Sequence, residues 1–351
     1  MCTFADRMNK QRIGYIDAMR GFTMILVVYS HVCGMCLGDR WMGLNDIFFL
    51  FRLPCFFFIS GWLFEGTSGM SNPRRLICHK FRVQIIPTVI FLLLLAPPPL
   101  FFSRLGATKG GYWFTFALFE FFLLYMFSRR YLRKWDGTFA FVISVLAFCY
   151  DVFYTRLEHS SLNYQLSIVN CQLSITDVLG FLSFMTWRYF LFFYVGTWVK
   201  RHFEAFVRWS NNPVVIVSVI VGFFAISQIP HSDIIPLEYF IFAVGGILGL
   251  TMIFTLFRRL VNCQLSIVNY IGTRTLDVYL LHYFFLPRFL LPYGEQLRSW
   301  HCKPLEFVAA LTLALLVVMV CLAASYVIRL SPFLGYWLFG AKKPSDASDN
   351  P

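Results

Sequence analysis

Residues 305–328 read LEFVAALTLALLVVMVCLAASYVI, a run of 24 residues in which Glu306 is the only charged residue. A helix of about 20 apolar residues crosses the hydrocarbon core of a bilayer, which is about 30 Å thick. The sequence holds ten candidate spans of this kind, near residues 15–37, 46–65, 83–103, 112–128, 138–155, 177–199, 213–230, 237–257, 271–291 and 305–328. We therefore predict an all-α integral membrane protein with about ten transmembrane helices.

The composition of the whole chain agrees with this prediction. Of the 351 residues, 58% are hydrophobic and only 14% are charged. A soluble domain carries roughly 25% charged residues because its surface faces water. The chain has too little charge to cover such a surface, so lipid is its expected solvent.

The net charge of +12 is explained by where the basic residues lie. If the N-terminus is cytoplasmic, 20 of the 30 lysines and arginines fall in inner segments and 7 fall in outer loops. An excess of Lys and Arg on one side is the positive-inside pattern, which places both termini in the cytoplasm. The charge is thus accounted for without nucleic acid, and we predict no nucleic-acid partner.

We predict one transmembrane domain over residues 1–340 and a disordered cytoplasmic tail over residues 341–351, which are rich in Ser, Asp and Pro. The first apolar stretch is long enough to span and lacks a small-residue cleavage site, so it is expected to be a retained helix. Cys33 and Cys36 form a single CxxC with no second pair, which favours buried packing thiols over a metal or redox site.

The string NYQLSIV at residues 163–169 is followed by NCQLSIT at 170–176, and NCQLSIV returns at 262–268. Two consecutive copies are too few for a heptad coil. We interpret these segments as insertions that loops tolerate at small entropic cost.

The first span carries polar residues where they are costly, among them Asp17, Arg20 and His31. Arg20 and His31 are eleven residues apart, which puts both on one helix face about 16 Å apart along the axis. One interpretation is a channel wall that receives an elongated anionic ligand. The alternative is a local Arg20–Asp17 pair and a histidine that bonds to a neighbouring helix.

Four further residues fall inside predicted spans. His282 lies about as deep in the ninth span as His31 does in the first, so the two could line one cavity; the alternative is a histidine bonded to a backbone carbonyl. Glu120 and Arg188 are both near mid-depth and are predicted to form a structural ion pair. Arg52 has no evident partner and is a candidate for the acceptor side.

Four segments together resemble the membrane-bound acyltransferase-3 family, whose members O-acylate cell-surface and secreted glycans. They are RIGYIDAMRGFTMILVVYSH at 12–31, LPCFFFISGWL at 53–63, KFRVQIIP at 80–87 and IGTRTLDVYLLH at 271–282. Many relatives place two arginines three residues apart in the third motif. His79 and Arg82 occupy that spacing here, so Lys80 or Arg75 could serve instead.

The resemblance implies transfer of an acyl group, most often acetyl, from cytoplasmic acyl-CoA to a glycan hydroxyl, with no tightly bound cofactor or metal. It implies His31 as general base, Arg20 as a guide for the donor and His282 in support. Arg75, Lys80 and Arg82 would bind CoA phosphates, which suit basic side chains. It also implies a multi-pass protein of the plasma membrane, the inner membrane in a bacterium. A transporter or flippase that uses the intramembrane His, Arg and Glu as a relay is the rival interpretation.

Overall fold

The computed structural model describes residues 14–66, 73–95, 109–158, 182–230, 234–260 and 266–341. Every regular element within these ranges is helical. Most of the repeated QLSIV segments and the C-terminal tail beyond residue 341 lie outside the described residues. The predictions made for them therefore stay predictions.

Fifteen α-helices occupy the described ranges. They are α1 Gly14–His31, α2 Asn45–Glu65, α3 Pro73–Lys80, α4 Ile86–Leu95, α5 Trp113–Tyr131, α6 Asp136–Glu158, α7 Phe190–Arg201, α8 Phe203–Asn211, α9 Pro213–Ser227, α10 Ile235–Arg259, α11 Ser266–Thr273, α12 Thr275–Phe285, α13 Leu291–Ser299, α14 Lys303–Arg329 and α15 Pro332–Phe339. Short π-helical segments follow α1 at Val32–Cys36 and α3 at Phe81–Ile85. Short 3-10 segments cover Lys109–Gly111, Phe184–Tyr189 and Arg288–Leu290.

Six helical segments in these ranges are long and apolar enough to cross a membrane, namely Gly14–Cys36, Asn45–Glu65, Pro73–Leu95, Asp136–Thr155, Ile235–Arg259 and Lys303–Arg329. A seventh is possible if α8 and α9, which are bent by 83°, form one span. The chain is therefore an all-helical, multi-pass membrane protein.

Two of the remaining predicted spans, 177–199 and 271–291, are shorter or interrupted among the described residues, whereas 112–128 corresponds to α5, a continuous helix of 19 residues. The segment before α7 is a 3-10 turn, and α7 itself has only 12 residues. The predicted span 271–291 is divided between α11 and α12 and leaves the α-helical conformation after Phe285. The count of ten and the cytoplasmic placement of both termini thus stay predictions.

Glycines bring two pairs of helices into backbone contact. A Cβ on Gly21 of α1 would collide with the carbonyl of Val268 in α11, and one on Gly272 of α11 would collide with the carbonyl of Asp17. Small residues let helix backbones approach in this way inside membranes. The contact fixes the helix that carries His31 beside the segment that leads into α12 and His282.

The α2 helix packs just as closely on α7, through Gly61 and Gly196. Around this crossing the core is aromatic. The ring of Phe57 lies 4.8 Å from that of Phe114 and 4.9 Å from that of Phe121. Such ring pairs add to the stabilisation from burial alone. The result is a rigid wall on the α2 side of the cavity described next.

Candidate active site

A cavity of about 720 Å³ opens between the first helices of the bundle. Its wall follows α1 from Arg20 to His31 and α2 from Phe49 to Leu63, so it extends about 16–20 Å along both helices. Because α1 and α2 run antiparallel, Arg20 lies at the same end of the cavity as Leu63, and His31 lies at the same end as Arg52. Further lining residues come from other elements: Lys80, Gln84, Trp113, Thr115, Thr186, Arg188, Tyr189, Thr275 and Tyr279.

Arg20 contacts a hydroxyl of another helix and a carboxylate of its own helix. Its guanidinium donates to Thr275 Oγ1 at 2.8 Å and lies 3.7 Å from the Asp17 carboxylate. It also lines the cavity together with His31. The two interpretations of the first span are therefore compatible, since a local ion pair and an arginine in the channel wall occur together.

His31 is the last residue of α1, at the point where the helix changes to a π-helical turn. The backbone N–H of Leu37 donates to the carbonyl of Val32 at 3.0 Å, the wider hydrogen bond that defines this turn. Such π-helical segments are frequent at functional sites. The imidazole reaches the cavity, and its ring centre lies 5.1 Å from that of His282.

His282 is fully buried and is not among the residues that line the cavity. Its Nδ1 lies 2.7 Å from the carbonyl oxygen of Tyr279 and 3.2 Å from that of Val278. Because carbonyls only accept, Nδ1 carries a proton, and Nε2 has no hydrogen-bond partner among the described residues. The structure thus matches the alternative of a carbonyl-bonded histidine, whose ring packs against His31.

Tyr283 was missed by the sequence analysis. Its hydroxyl lies 3.3 Å from His31 Nε2 and 3.2 Å from the carbonyl oxygen of Gly111. Gly111 has φ of +100°, and a Cβ there would lie 2.6 Å from the Tyr283 ring. The only signal in the sequence is that Tyr283 directly follows His282, the last residue of the family-like segment 271–282.

Arg52 does have a partner, contrary to the expectation from sequence. It is 8% exposed and donates to Asn45 Oδ1 at 2.7 Å. The Asn45 amide in turn donates to Ser30 Oγ at 3.3 Å, next to His31. Arg52 therefore lies at the His31 end of the cavity, and both residues line its wall.

The three basic residues predicted to bind CoA phosphates lie in different surroundings. Lys80 lines the cavity, with Nζ 4.6 Å from the centre of the Phe122 ring. Arg82 instead donates to the Ala341 carbonyl at 3.3 Å and stacks on Tyr336. Arg75 is exposed and does not line the cavity. Only Lys80 of the three is brought together with Arg20 and His31.

The predicted ion pair between Glu120 and Arg188 is wrong. Arg188 pairs with Asp151, and Glu120 accepts a hydrogen bond from Trp187 Nε1 at 2.7 Å. Equal depth in the membrane does not put two side chains on facing surfaces. Arg188 lines the cavity and Glu120 does not.

Two other groups in the first helices have no polar role in this cavity. Cys33 and Cys36 are buried free thiols in the apolar core, as the sequence predicted for packing cysteines.

Within the described ranges, no three His, Cys, Asp or Glu side chains are grouped to hold a metal ion. The charged side chains of the lining are all cations, namely Arg20, Arg40, Arg52, Lys80 and Arg188, and no described Asp or Glu lines the cavity. This lining favours an anionic ligand.

The family model of an acyltransferase domain matches residues 13–330, more than nine-tenths of the chain. The matched region contains every residue of the cavity wall. Searches of curated proteins and of solved structures found no match. By the extent of the family match, the chain belongs to the acyltransferase-3 family of membrane acyltransferases.

Proposed function

We propose that the protein transfers an acyl group, acetyl in the simplest case, from cytoplasmic acyl-CoA to a hydroxyl of an extracytoplasmic glycan. The observation that carries the proposal is the position of His31, whose imidazole lies on the wall of a cation-lined cavity that continues past it toward Arg52. A neutral imidazole has a ring nitrogen that accepts a proton, as a general base for a hydroxyl must.

In the proposed reaction, His31 takes the proton of the acceptor hydroxyl while its oxygen attacks the thioester carbonyl. The C–S bond breaks as the tetrahedral intermediate collapses, and the thiolate of CoA receives the proton from the imidazolium. The products are the glycan ester and free CoA. Tyr283 supports this role: when its hydroxyl donates to the Gly111 carbonyl, its oxygen can accept from protonated His31.

The donor is proposed to enter from the end of the cavity that holds Arg20 and Lys80. Both cations line the cavity. Arg20 is about 16 Å from His31 along α1. This separation suits CoA, whose phosphates are at the far end of the pantetheine arm from the thioester. Arg75 and Arg82 lie outside the cavity wall, so we assign the phosphate contacts to Arg20 and Lys80.

The direction of transfer follows from the proposed topology. Ten spans with both termini in the cytoplasm put the Arg20 end of the cavity toward the cytoplasm and the Arg52 end toward the outside. The asymmetry of basic residues supports this orientation. We accordingly place the protein in the plasma membrane, the inner membrane in a bacterium, with lipid, acyl-CoA and glycan as its partners.

The test is mass spectrometry of surface glycans from cells that carry or lack the gene. We expect an acyl mass increment that requires the gene and disappears with His31→Ala, while the amount of protein in the membrane is unchanged. His202→Ala is a matched control, because His202 is exposed and lies outside the cavity. Full acylation by the His31 variant would remove His31 as the base.

A further inference from the structure

The outer end of the cavity holds a buried cation without a counter-charge. Arg52 is 8% exposed, and its hydrogen-bond partner, Asn45, is neutral. No Asp or Glu of the described residues lies within ion-pair distance of its guanidinium. Arg188 differs, since Asp151 neutralises it. A charge held unpaired in a membrane interior is costly and marks a functional site by default.

Asn45 fixes the position of this cation. Its side-chain oxygen accepts from Arg52, and its amide donates to Ser30 Oγ and to the backbone carbonyl of Arg40. The contacts tie the start of α2 to the end of α1 and to the segment between them. The guanidinium has five N–H donors, of which Asn45 takes one. The remaining donors are available at the cavity wall beside His31.

The acyl donor does not supply the negative charge that would pair with Arg52. When the thioester is at the imidazole, the phosphates of CoA are remote from it, at the end of the cavity with Arg20 and Lys80. Arg52 lies at the His31 end of the cavity, where Asn45 joins its guanidinium to Ser30, the residue before His31. Its anionic partner must therefore be a group that sits close to the reacting atoms, on the acceptor side.

We propose that the acceptor is an acidic sugar, whose carboxylate pairs with Arg52 while a nearby hydroxyl of the same sugar meets His31. This inference rests on the proposed acyl transfer and names the acceptor class for the same site. A carboxylate carries one negative charge, which neutralises one buried arginine, and its two oxygens match the guanidinium fork. Arg40, which is exposed and also lines the cavity, would attract the acid at the rim.

The experiment compares one glycan in two forms. Surface glycan from cells that express the protein is de-O-acylated with base, and half is carboxyl-reduced so that each acid becomes a neutral primary alcohol. Membranes containing the wild-type protein are given labelled acetyl-CoA and either acceptor. We expect the reduced glycan to take up about thirtyfold less label, as for loss of a buried charge pair. Equal labelling of both forms would overturn the acidic acceptor and leave acyl transfer standing.

Variants locate the effect at Arg52. We expect Arg52→Gln to raise the apparent KM for the acidic glycan about thirtyfold and to leave the KM for acetyl-CoA unchanged, with Arg52→Lys intermediate. Arg208→Gln, at an exposed site outside the cavity, is the charge-matched control. A loss of kcat that is equal for both acceptor forms would instead make Arg52 an oxyanion stabiliser and overturn the proposal. If the wild type labels neither glycan, the acyl transfer itself fails, and the acidic acceptor fails with it.

Discussion

His31 and Tyr283 belong to separate helices, α1 and the end of α12, yet the imidazole Nε2 lies 3.3 Å from the phenol oxygen. The same oxygen lies 3.2 Å from the carbonyl of Gly111. A carbonyl can only accept, so the hydroxyl that donates to it presents a lone pair to His31. The tyrosine is thus placed to orient the imidazole and to stabilise its protonated form during turnover.

Replacing Tyr283 by Phe removes this hydrogen bond and keeps the ring. We expect kcat to fall about tenfold, the value of one hydrogen bond in a transition state, with little change in either KM. Initial rates at varied acetyl-CoA and acceptor separate the two parameters. Tyr326→Phe on exposed α14 is the matched control. A rise in KM at constant kcat would show that Tyr283 binds substrate and does not position His31.

Gly111 is the neighbour that makes the position of Tyr283 possible. Its φ of +100° disfavours any L side chain, and a Cβ would lie 2.6 Å from the phenol ring. We expect Gly111→Ala to lose more activity than Tyr283→Phe and to destabilise the protein by about 1–3 kcal/mol. Thermal unfolding in detergent and the transfer assay measure both effects.

Gly14→Ala provides the comparison, because a Cβ at Gly14 would meet nothing nearer than 4.0 Å. That variant is expected to behave as wild type in both assays. If Gly111→Ala also had wild-type activity and stability, the backbone at residue 111 would not hold the Tyr283 ring in place.

Sequence reasoning located the residues of α1 well. The spacing of Arg20 and His31 fixes their common helix face, and both line the cavity. It could not find Tyr283 or Asn45, since their contacts depend on how separate helices cross. Depth alone misplaced Glu120 and Arg188, because depth does not specify the direction in which a side chain points.

The apolar runs also do not predict where the helices are interrupted. Mean hydropathy over a window reports composition and contains no information on backbone geometry. The 3-10 segment Phe184–Tyr189 lies within the predicted span 177–199, and the break between α11 and α12 falls at Arg274, within the predicted span 271–291. These interruptions account for part of the difference between the ten predicted spans and the six or seven candidate spans among the described residues.

Asp277, in the family-like segment 271–282, holds α12 on α14. It is 2% exposed, accepts two hydrogen bonds from Arg329 at 2.7 and 2.8 Å, and accepts a third from Ser325. Removing one partner of a buried pair leaves the other charge uncompensated. We expect Asp277→Ala to destabilise the protein by about 3–5 kcal/mol, measured as a fall in the thermal midpoint.

The double variant Asp277→Leu with Arg329→Leu tests the same pair by a different route. Replacing both charges by apolar groups is often close to neutral, so it should recover most of the lost stability. No recovery would indicate that Asp277 contributes through Ser325 or through helix geometry and not mainly through Arg329.

Lys80 and Arg82 are two residues apart in one motif, but the structure gives them different surroundings. Lys80 lines the cavity near Arg20, whereas Arg82 stacks on Tyr336 and bonds to the Ala341 carbonyl. We therefore expect Lys80→Gln to raise the apparent KM for acetyl-CoA about tenfold, consistent with the loss of one charge-assisted contact. Arg82→Gln should leave that KM unchanged and lower the thermal midpoint slightly. Donor titrations at saturating acceptor distinguish the two variants, and the reverse result would move the phosphate contact from Lys80 to Arg82, on the side facing α15.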